Sequence, residues 1–92
     1  MKSKIIGTMV WCQGCETVVW ASDSNHGDLR GNLNMLKIPC RLCGEKGNYD
    51  GYSVSNTHAS SMAYTDDGWS TMRALARYQK VKWDPSPDNT WR

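Results

Sequence analysis

The chain has 92 residues, a formal net charge of +2 and four cysteines. This length suits one compact domain, whose small core usually needs disulfides or a metal for reinforcement. No apolar run approaches the roughly 20 residues of a membrane-spanning helix, and the nearly neutral charge does not favour a histone-like nucleic-acid binder. The N-terminus carries no apolar run of signal-peptide length, so we expect a reducing, cytoplasmic location in a bacterial or host cell.

The first half begins with two short β-prone runs around a cysteine pair. Thr8–Trp11 and Thr17–Trp20 predict a hairpin whose turn holds Cys12 and Cys15. Residues 21–34 are polar and rich in Gly and Asn, which predicts a loop.

A second hairpin is expected around the other cysteine pair. Met35–Ile38 is predicted to form a short strand that leads into the turn holding Cys40 and Cys43. Tyr49–Ser55 is then expected to return as a strand, and the small polar residues that follow it indicate a linker.

The C-terminal third holds the one strong helix pattern. We predict a helix from Trp69 to about Lys82, capped by Thr65 or Asp67 and ended by the proline-containing segment 84–87. At 100° per residue, one side of this helix is apolar. Its members are Trp69, Met72, Leu75, Ala76 and Trp83.

The cysteines form two Cys-x-x-Cys pairs separated by residues 16–39. Two intervening residues let both thiolates of a tight turn point at one ion, and two such turns complete a tetrahedron with metal–sulfur distances of about 2.3 Å. The pattern therefore predicts one structural Zn²⁺ held by Cys12, Cys15, Cys40 and Cys43. The free energy of zinc binding would stabilise the folded chain, by an amount on the order of 10 kcal/mol, because the unfolded chain has no preformed site.

The two histidines are expected to be exposed loop residues rather than ligands. His26 and His58 lie in predicted loops, and four cysteines already fill the tetrahedron. The chain also lacks a Walker-type phosphate loop and a G-x-S-x-G element. We therefore expect neither enzyme activity nor a small-molecule substrate.

With these motifs, residues 5–55 resemble the zinc-ribbon family. The resemblance rests on the two cysteine turns, here called the first knuckle (residues 12–15) and the second knuckle (residues 40–43), and on Pro39 and Gly44 around the second. Glu16 departs from the pattern, since glycine is common after the first knuckle. The resemblance implies a scaffold that binds nucleic acid or protein in transcription, replication or translation machinery.

A rubredoxin-like iron site is the alternative, because rubredoxins have a similar knuckle layout and transfer electrons. Rubredoxins usually carry glycine after both cysteine pairs and have an acidic surface. Glu16 and the positive net charge favour zinc instead.

Two classes of partner remain open, with protein preferred over DNA or RNA. The residues expected to bind it are Arg73, Arg77, Tyr78, Lys80, Trp83 and Trp91. The cations among them could meet phosphates while the aromatic rings stack on bases. Acidic residues around the helix oppose a phosphate track, and tryptophans are favoured anchors at protein interfaces.

Together these patterns predict a small metal-stapled α+β domain. Residues 1–55 are expected to form the zinc ribbon, 56–65 a linker, 66–84 an amphipathic helix packed on the ribbon, and 85–92 an extended tail. The expected function is a non-catalytic adaptor or regulator, of the kind found among bacterial or viral accessory proteins. It would bind a macromolecular partner through its helix and Trp-rich surface.

Overall fold

A computed structural model describes residues 4–57 and 68–85. Most of the expected linker, and the tail beyond residue 85, lie outside the described residues. The elements in chain order are β1 (Ile5–Cys12), β2 (Thr17–Ser22), α1 (Leu29–Met35), β3 (Tyr49–Ser55), α2 (Gly68–Gln79) and β4 (Lys82–Trp83). This set of strands and helices confirms the small α+β class.

The described strands form one four-stranded sheet in the order β3-β1-β2-β4. β1 is antiparallel to both β2 and β3, so the expected first hairpin is present and the third strand joins its open side. β4 pairs with β2 in parallel, through Thr17 with Lys82 and Val18 with Trp83. The expected second hairpin, with Met35–Ile38 as a strand beside Tyr49–Ser55, is therefore wrong.

Each face of the sheet carries its own apolar cluster, because successive side chains of a strand point to opposite faces. The α2-side cluster contains Ile6, Met9, Trp11, Val18, Ala21, Val54, Met72, Leu75 and Ala76. The α1-side cluster contains Val10, Cys12, Val19, Trp20, Leu29, Leu33, Cys40 and Tyr49. The sheet is thus covered by α2 on one face, and by α1 with the second knuckle on the other.

A bulge in β2 adjusts which side chains reach each face. Val10 pairs with Trp20 whereas its neighbour Trp11 pairs with Val18, so Val19 is the additional residue. As a result the consecutive residues Val19 and Trp20 both join the α1-side cluster.

Helix α1 replaces part of the loop expected at residues 21–34. Its N-cap is Asp28, whose carboxylate accepts a hydrogen bond from the N–H of Gly31 at 3.1 Å. Leu29 and Leu33 lie four residues apart, so both side chains point into the α1-side cluster. The loop prediction failed because these two leucines are the only buried residues of the helix, too few to mark it by periodicity.

Both helices end in a Schellman motif with lysine at the left-handed position. After α1, Lys37 (φ 52°) is followed by Ile38, whose N–H donates to the Leu33 carbonyl at 3.1 Å. After α2, Lys80 (φ 60°) is followed by Val81, whose N–H donates to the Ala76 carbonyl at 3.0 Å. α2 therefore ends at Gln79, before the expected limit at Lys82.

The apolar side of α2 packs on the sheet through residues that its periodicity indicates. Met72, Leu75 and Ala76 are buried there, and Trp69 is partly buried against them. A Cβ atom at Gly68 would overlap the Ile6 carbonyl oxygen, so only glycine lets the start of α2 approach β1 this closely. Within residues 4–57 and 68–85, neither helix has the length and apolar character that crossing a membrane requires.

Candidate metal centre

The fold brings the four cysteines to one point. Cys12 ends β1, Cys15 lies in the turn before β2, and Cys40 and Cys43 lie in the turn that follows α1. Their Sγ atoms all lie within 4.8 Å of one another. The Cys12 and Cys43 sulfurs are 3.5 Å apart, and those of Cys15 and Cys40 are 3.8 Å apart. A tetrahedron with 2.3 Å metal–sulfur bonds has edges of about 3.8 Å, so the cluster has the dimensions to hold a metal ion.

The first knuckle directs backbone donors at its leading sulfur. The N–H groups of Cys15 and Gly14 face the Cys12 sulfur. The turn then passes through Glu16, which adopts a left-handed conformation with φ 51°. This is the position where the zinc-ribbon resemblance leads one to expect glycine, and glycine would reach that conformation without steric cost.

The second knuckle has the same internal pattern. The Cys40 sulfur accepts hydrogen bonds from the N–H groups of Cys43 and Leu42, the latter at 3.4 Å. Gly44 occupies the left-handed position with φ 80° and donates its N–H to the Cys40 carbonyl at 2.8 Å. At the base, Pro39 and Lys46 form a single isolated bridge rather than a pair of strands.

Hydrogen bonds from side chain and backbone join the start of β3 to α1 and to the first knuckle. Asn34 donates through Nδ2 to the Tyr49 carbonyl at 3.0 Å and accepts the Tyr49 N–H through Oδ1 at 2.7 Å. The Gln13 N–H donates to the Asn48 carbonyl at 2.9 Å. These bonds fix the start of β3 between α1 and the first knuckle.

Sequence reasoning missed Asn34 and Gln13. Asn34 lies 15 residues before its partner Tyr49, and the Gln13 side chain bonds Asn48, 35 residues further along the chain. Amide side chains at such separations leave no local pattern, so no signal in the sequence marks them.

The thiols have pKa values shifted in opposite directions. Burial raises the pKa of the Cys12 thiol from 9.0 to about 12, and burial also raises the pKa of Cys15. Burial acts in the same upward direction on Cys40, but hydrogen bonds from the N–H groups of Cys43 and Leu42, together with those from the side chains of Cys12 and Cys43, outweigh it and lower the pKa of Cys40 to about 7. The backbone thus stabilises a thiolate, the form in which cysteine binds metals.

A tyrosine beside the cluster shows the same low-polarity surroundings. Burial raises the pKa of Tyr49 to about 12, and the negative charges of the cysteines add to the effect. Cys12 and Cys40 are buried, Cys15 is half-buried and Cys43 is exposed, so the cluster faces solvent on the Cys43 side.

Among the residues expected to bind a partner, those that the structure describes belong to α2, to the residue after it and to β4. Four of them are exposed at α2 or just after it: Arg73, Arg77, Tyr78 and Lys80. Trp83 is half-buried in β4, and the Arg73 guanidinium carbon lies 5.7 Å from the centroid of its ring. Trp91 lies outside the described residues. Trp11 and Trp20, which were not among the expected partner residues, are buried in the core.

The histidine within the described residues is exposed, as expected, but makes defined contacts. The His26 Nε2 atom lies 3.2 Å from the Ser22 hydroxyl oxygen, and the ring packs edge-on against Trp20 with centroids 4.7 Å apart. His58 lies outside the described residues.

The geometry places four cysteines of two C-x-x-C pairs close together, in an arrangement consistent with a zinc-binding site. All four are free thiols in the structure rather than disulfide partners. The chain matches no protein-family model, no curated protein and no solved structure.

Proposed function

We propose that this chain is a non-catalytic, zinc-stabilised adaptor that binds a partner protein. The observation that supports this most is the cluster of four sulfurs, because four thiolates fill a tetrahedral shell and leave no position for water or substrate. An all-sulfur donor set with edges of 3.5 and 3.8 Å suits Zn²⁺. Zinc bound there would supply folding free energy, on the order of 10 kcal/mol for small zinc modules.

The zinc-ribbon assignment is part of this proposal. The β1–β2 hairpin carries the first knuckle, and both knuckles aim backbone N–H groups at their leading sulfurs. The chain differs from a simple ribbon because a helix, α1, precedes the second knuckle. Free thiolates persist in reducing compartments, which supports a cytoplasmic location.

Metal analysis of the purified chain tests the centre itself. We expect one zinc per chain, no colour, and loss of the metal in Cys40→Ser. Ser22→Ala, which alters a buried residue far from the sulfurs, should retain full zinc. A red protein with one iron per chain would contradict the zinc assignment and favour the rubredoxin-like alternative.

Crosslinking in the native cell tests the adaptor role. The zinc-loaded, tagged chain should retain a crosslinked partner protein after nuclease treatment. Cys40→Ser should lose that partner because its second knuckle is no longer held. Complete loss of the partner from the wild-type sample on nuclease treatment would refute protein binding.

Nucleic-acid binding is the second candidate, and the edge strand β4 is the observation that favours it. Lys82 is exposed on this strand, Arg73 lies over Trp83, and the Arg41 guanidinium donates to the Asp84 carbonyl. Cations from α2, β4 and the second knuckle therefore gather along one edge of the sheet.

Salt titration distinguishes the two candidates. If this edge binds phosphates, affinity for a single-stranded 20-mer should fall about tenfold or more between 50 and 200 mM salt, because counterions are released. Arg73→Ala with Lys82→Ala should then weaken binding further, whereas Arg30→Ala, on the α1 side, should not. If neither added salt nor the combined Arg73→Ala and Lys82→Ala substitutions changed the affinity, a role for this edge in binding nucleic acid would be excluded.

A further inference from the structure

Exposed apolar side chains are concentrated beside the second knuckle. Among residues 4–57 and 68–85, four large apolar side chains are strongly exposed, and three of them lie between positions 35 and 42. Met35 is 72% exposed, Leu36 66% and Leu42 45%. Single exposed apolar residues are ordinary, but a group of them in one short segment is typical of an interaction site.

The backbone that carries these side chains is held on both sides. At the base of the knuckle, the Gly47 N–H donates to the Ile38 carbonyl at 3.1 Å. A Cβ atom at Gly47 would lie 3.0 Å from the Asn34 carbonyl oxygen, so this base packs directly on the end of α1. At the tip, the Leu42 N–H donates to the Cys40 sulfur. A surface fixed in advance loses little conformational freedom when it binds.

Cations alternate with the apolar side chains along the same segment. Residues 35–46 contain the exposed bases Lys37, Arg41 and Lys46 and a single acid, Glu45. Glu45 is already engaged by the Asn48 side-chain amide. Arg41 uses one donor on the Asp84 carbonyl, which leaves others of its five N–H groups available. The segment thus presents apolar anchors beside exposed cations.

The combination of apolar and basic side chains in this segment favours one class of binding partner over others. Unpaired bases bind by stacking on aromatic rings, and the exposed anchors here are a methionine and two leucines. A second copy would bring the same three cations against themselves, which like-charge repulsion opposes. An acidic segment with apolar anchors satisfies both features of the surface.

We propose that the α1–knuckle surface, formed by Met35, Leu36, Leu42, Lys37, Arg41 and Lys46, docks an acidic amphipathic segment of a partner protein. The inference rests on the proposed adaptor function and names the chemistry of its partner. The apolar side chains of the partner contact Met35, Leu36 and Leu42, and its carboxylates pair with the surrounding cations.

Fluorescence anisotropy with two synthetic probes tests the surface. The first is an 18-residue helical peptide with leucine at i, i+3, i+4 and i+7 spacing and glutamate elsewhere, and the second has lysine in place of every glutamate. The zinc-loaded chain should bind the acidic probe about tenfold or more tighter than the basic probe. Leu36→Asp should weaken binding of the acidic probe about tenfold or more, the usual effect of losing a central anchor.

Tyr78→Asp is the matched control, because Tyr78 is a 77% exposed apolar residue on α2, outside this surface. It should leave affinity for the acidic probe within about twofold. Zinc stoichiometry should be unchanged in both variants, since both positions are exposed.

Three results would overturn the inference: no binding of the acidic probe at 1 mM protein, equal binding of the two probes, or equal effects of Leu36→Asp and Tyr78→Asp. Displacement of the acidic probe by a single-stranded DNA 20-mer would assign the surface to nucleic acid instead. If the chain still captures a nuclease-resistant protein while the probe test fails, the adaptor function stands and its docking surface lies elsewhere.

Discussion

At the scale of single residues, three positions have the left-handed backbone conformation that favours glycine but hold other amino acids. Glu16, Lys37 and Lys80 all have positive φ, between 51° and 60°. Each follows a knuckle or a helix and turns the chain into the next segment. The left-handed conformation costs an L-residue roughly 1 kcal/mol, so these positions reduce the stability of the fold.

Replacing Lys80 by glycine should therefore stabilise the protein. Relief of the left-handed strain exceeds the added entropy of the unfolded chain, so we expect a gain of about 0.5 kcal/mol in the free energy of unfolding. Urea unfolding of the zinc-loaded chain measures it. Lys82→Gly is the control and should have the opposite sign, because Lys82 lies in a strand. If Lys80→Gly instead lowered the free energy of unfolding, the Lys80 side chain would contribute more stability than its strained backbone conformation costs.

The affinity for metal should rise with pH, because thiols with raised pKa values must lose their protons before they bind the ion. The pKa values of Cys12 and Cys15 are raised by burial, so at neutral pH both thiols hold protons that Zn²⁺ must displace. Release of at least these two protons makes the apparent affinity rise about 100-fold or more per pH unit near neutrality, and fall correspondingly as the pH is lowered. Competition with a chromophoric chelator between pH 6 and 8 measures this slope. A pH-independent affinity would contradict proton displacement.

At the scale of elements, the sequence predicted those helices and strands that are determined by residues close together in the chain. The first hairpin and the cysteine pairs follow from neighbours within a few residues, and α2 follows from a long apolar periodicity. α1 was missed because its seven residues include a glycine and two asparagines, and because lysine occupies its usual glycine end position. β4 has only two residues and is defined by its pairing with the distant β2, which no local pattern could reveal.

Two leucines near α1 should respond very differently to the same substitution. Leu33 is 3% exposed within the α1-side cluster, whereas Leu36, at the C-cap of α1, is largely solvent-exposed. Leu33→Ala should lower the free energy of unfolding by about 2–4 kcal/mol through lost burial and a residual cavity. Leu36→Ala should change it by less than about 0.5 kcal/mol. Thermal unfolding of both variants tests this difference, and similar losses would mean that α1 does not pack as described.

At the scale of the whole molecule, the two apolar clusters depend unequally on the metal centre. The α1-side cluster includes Cys12 and Cys40, whereas the α2-side cluster includes no cysteine. The partner residues expected from the sequence belong mainly to α2 and β4, whereas the α1–knuckle surface lies at the end of α1 and around the second knuckle, where its Arg41 reaches the Asp84 carbonyl. A sequence pattern could not indicate that surface, since exposure of Leu36 and Leu42 depends on α1 and its packing.

Removal of the metal should therefore loosen the molecule from one face. In the chelated chain, the amides of Cys40, in the second knuckle, and Gly47, at its base, should exchange with deuterium about 100-fold faster. The Val81 amide, which closes the end of α2, should change much less. Hydrogen exchange followed by NMR with and without chelator gives the comparison. Uniform acceleration at all three amides would indicate that the fold is lost as one unit.

The parallel pairing of β4 with β2 also bears on the order in which the chain is completed during synthesis. Trp83 pairs with Val18, which lies 65 positions earlier in the chain. All four cysteines, in contrast, are available once residue 43 has emerged from the ribosome. Closing so long a loop is entropically costly until much of the core exists. All four cysteines of the candidate metal centre therefore emerge while the outer edge of β2 still lacks its last neighbour, so a metal ion bound there would enter before the sheet is complete.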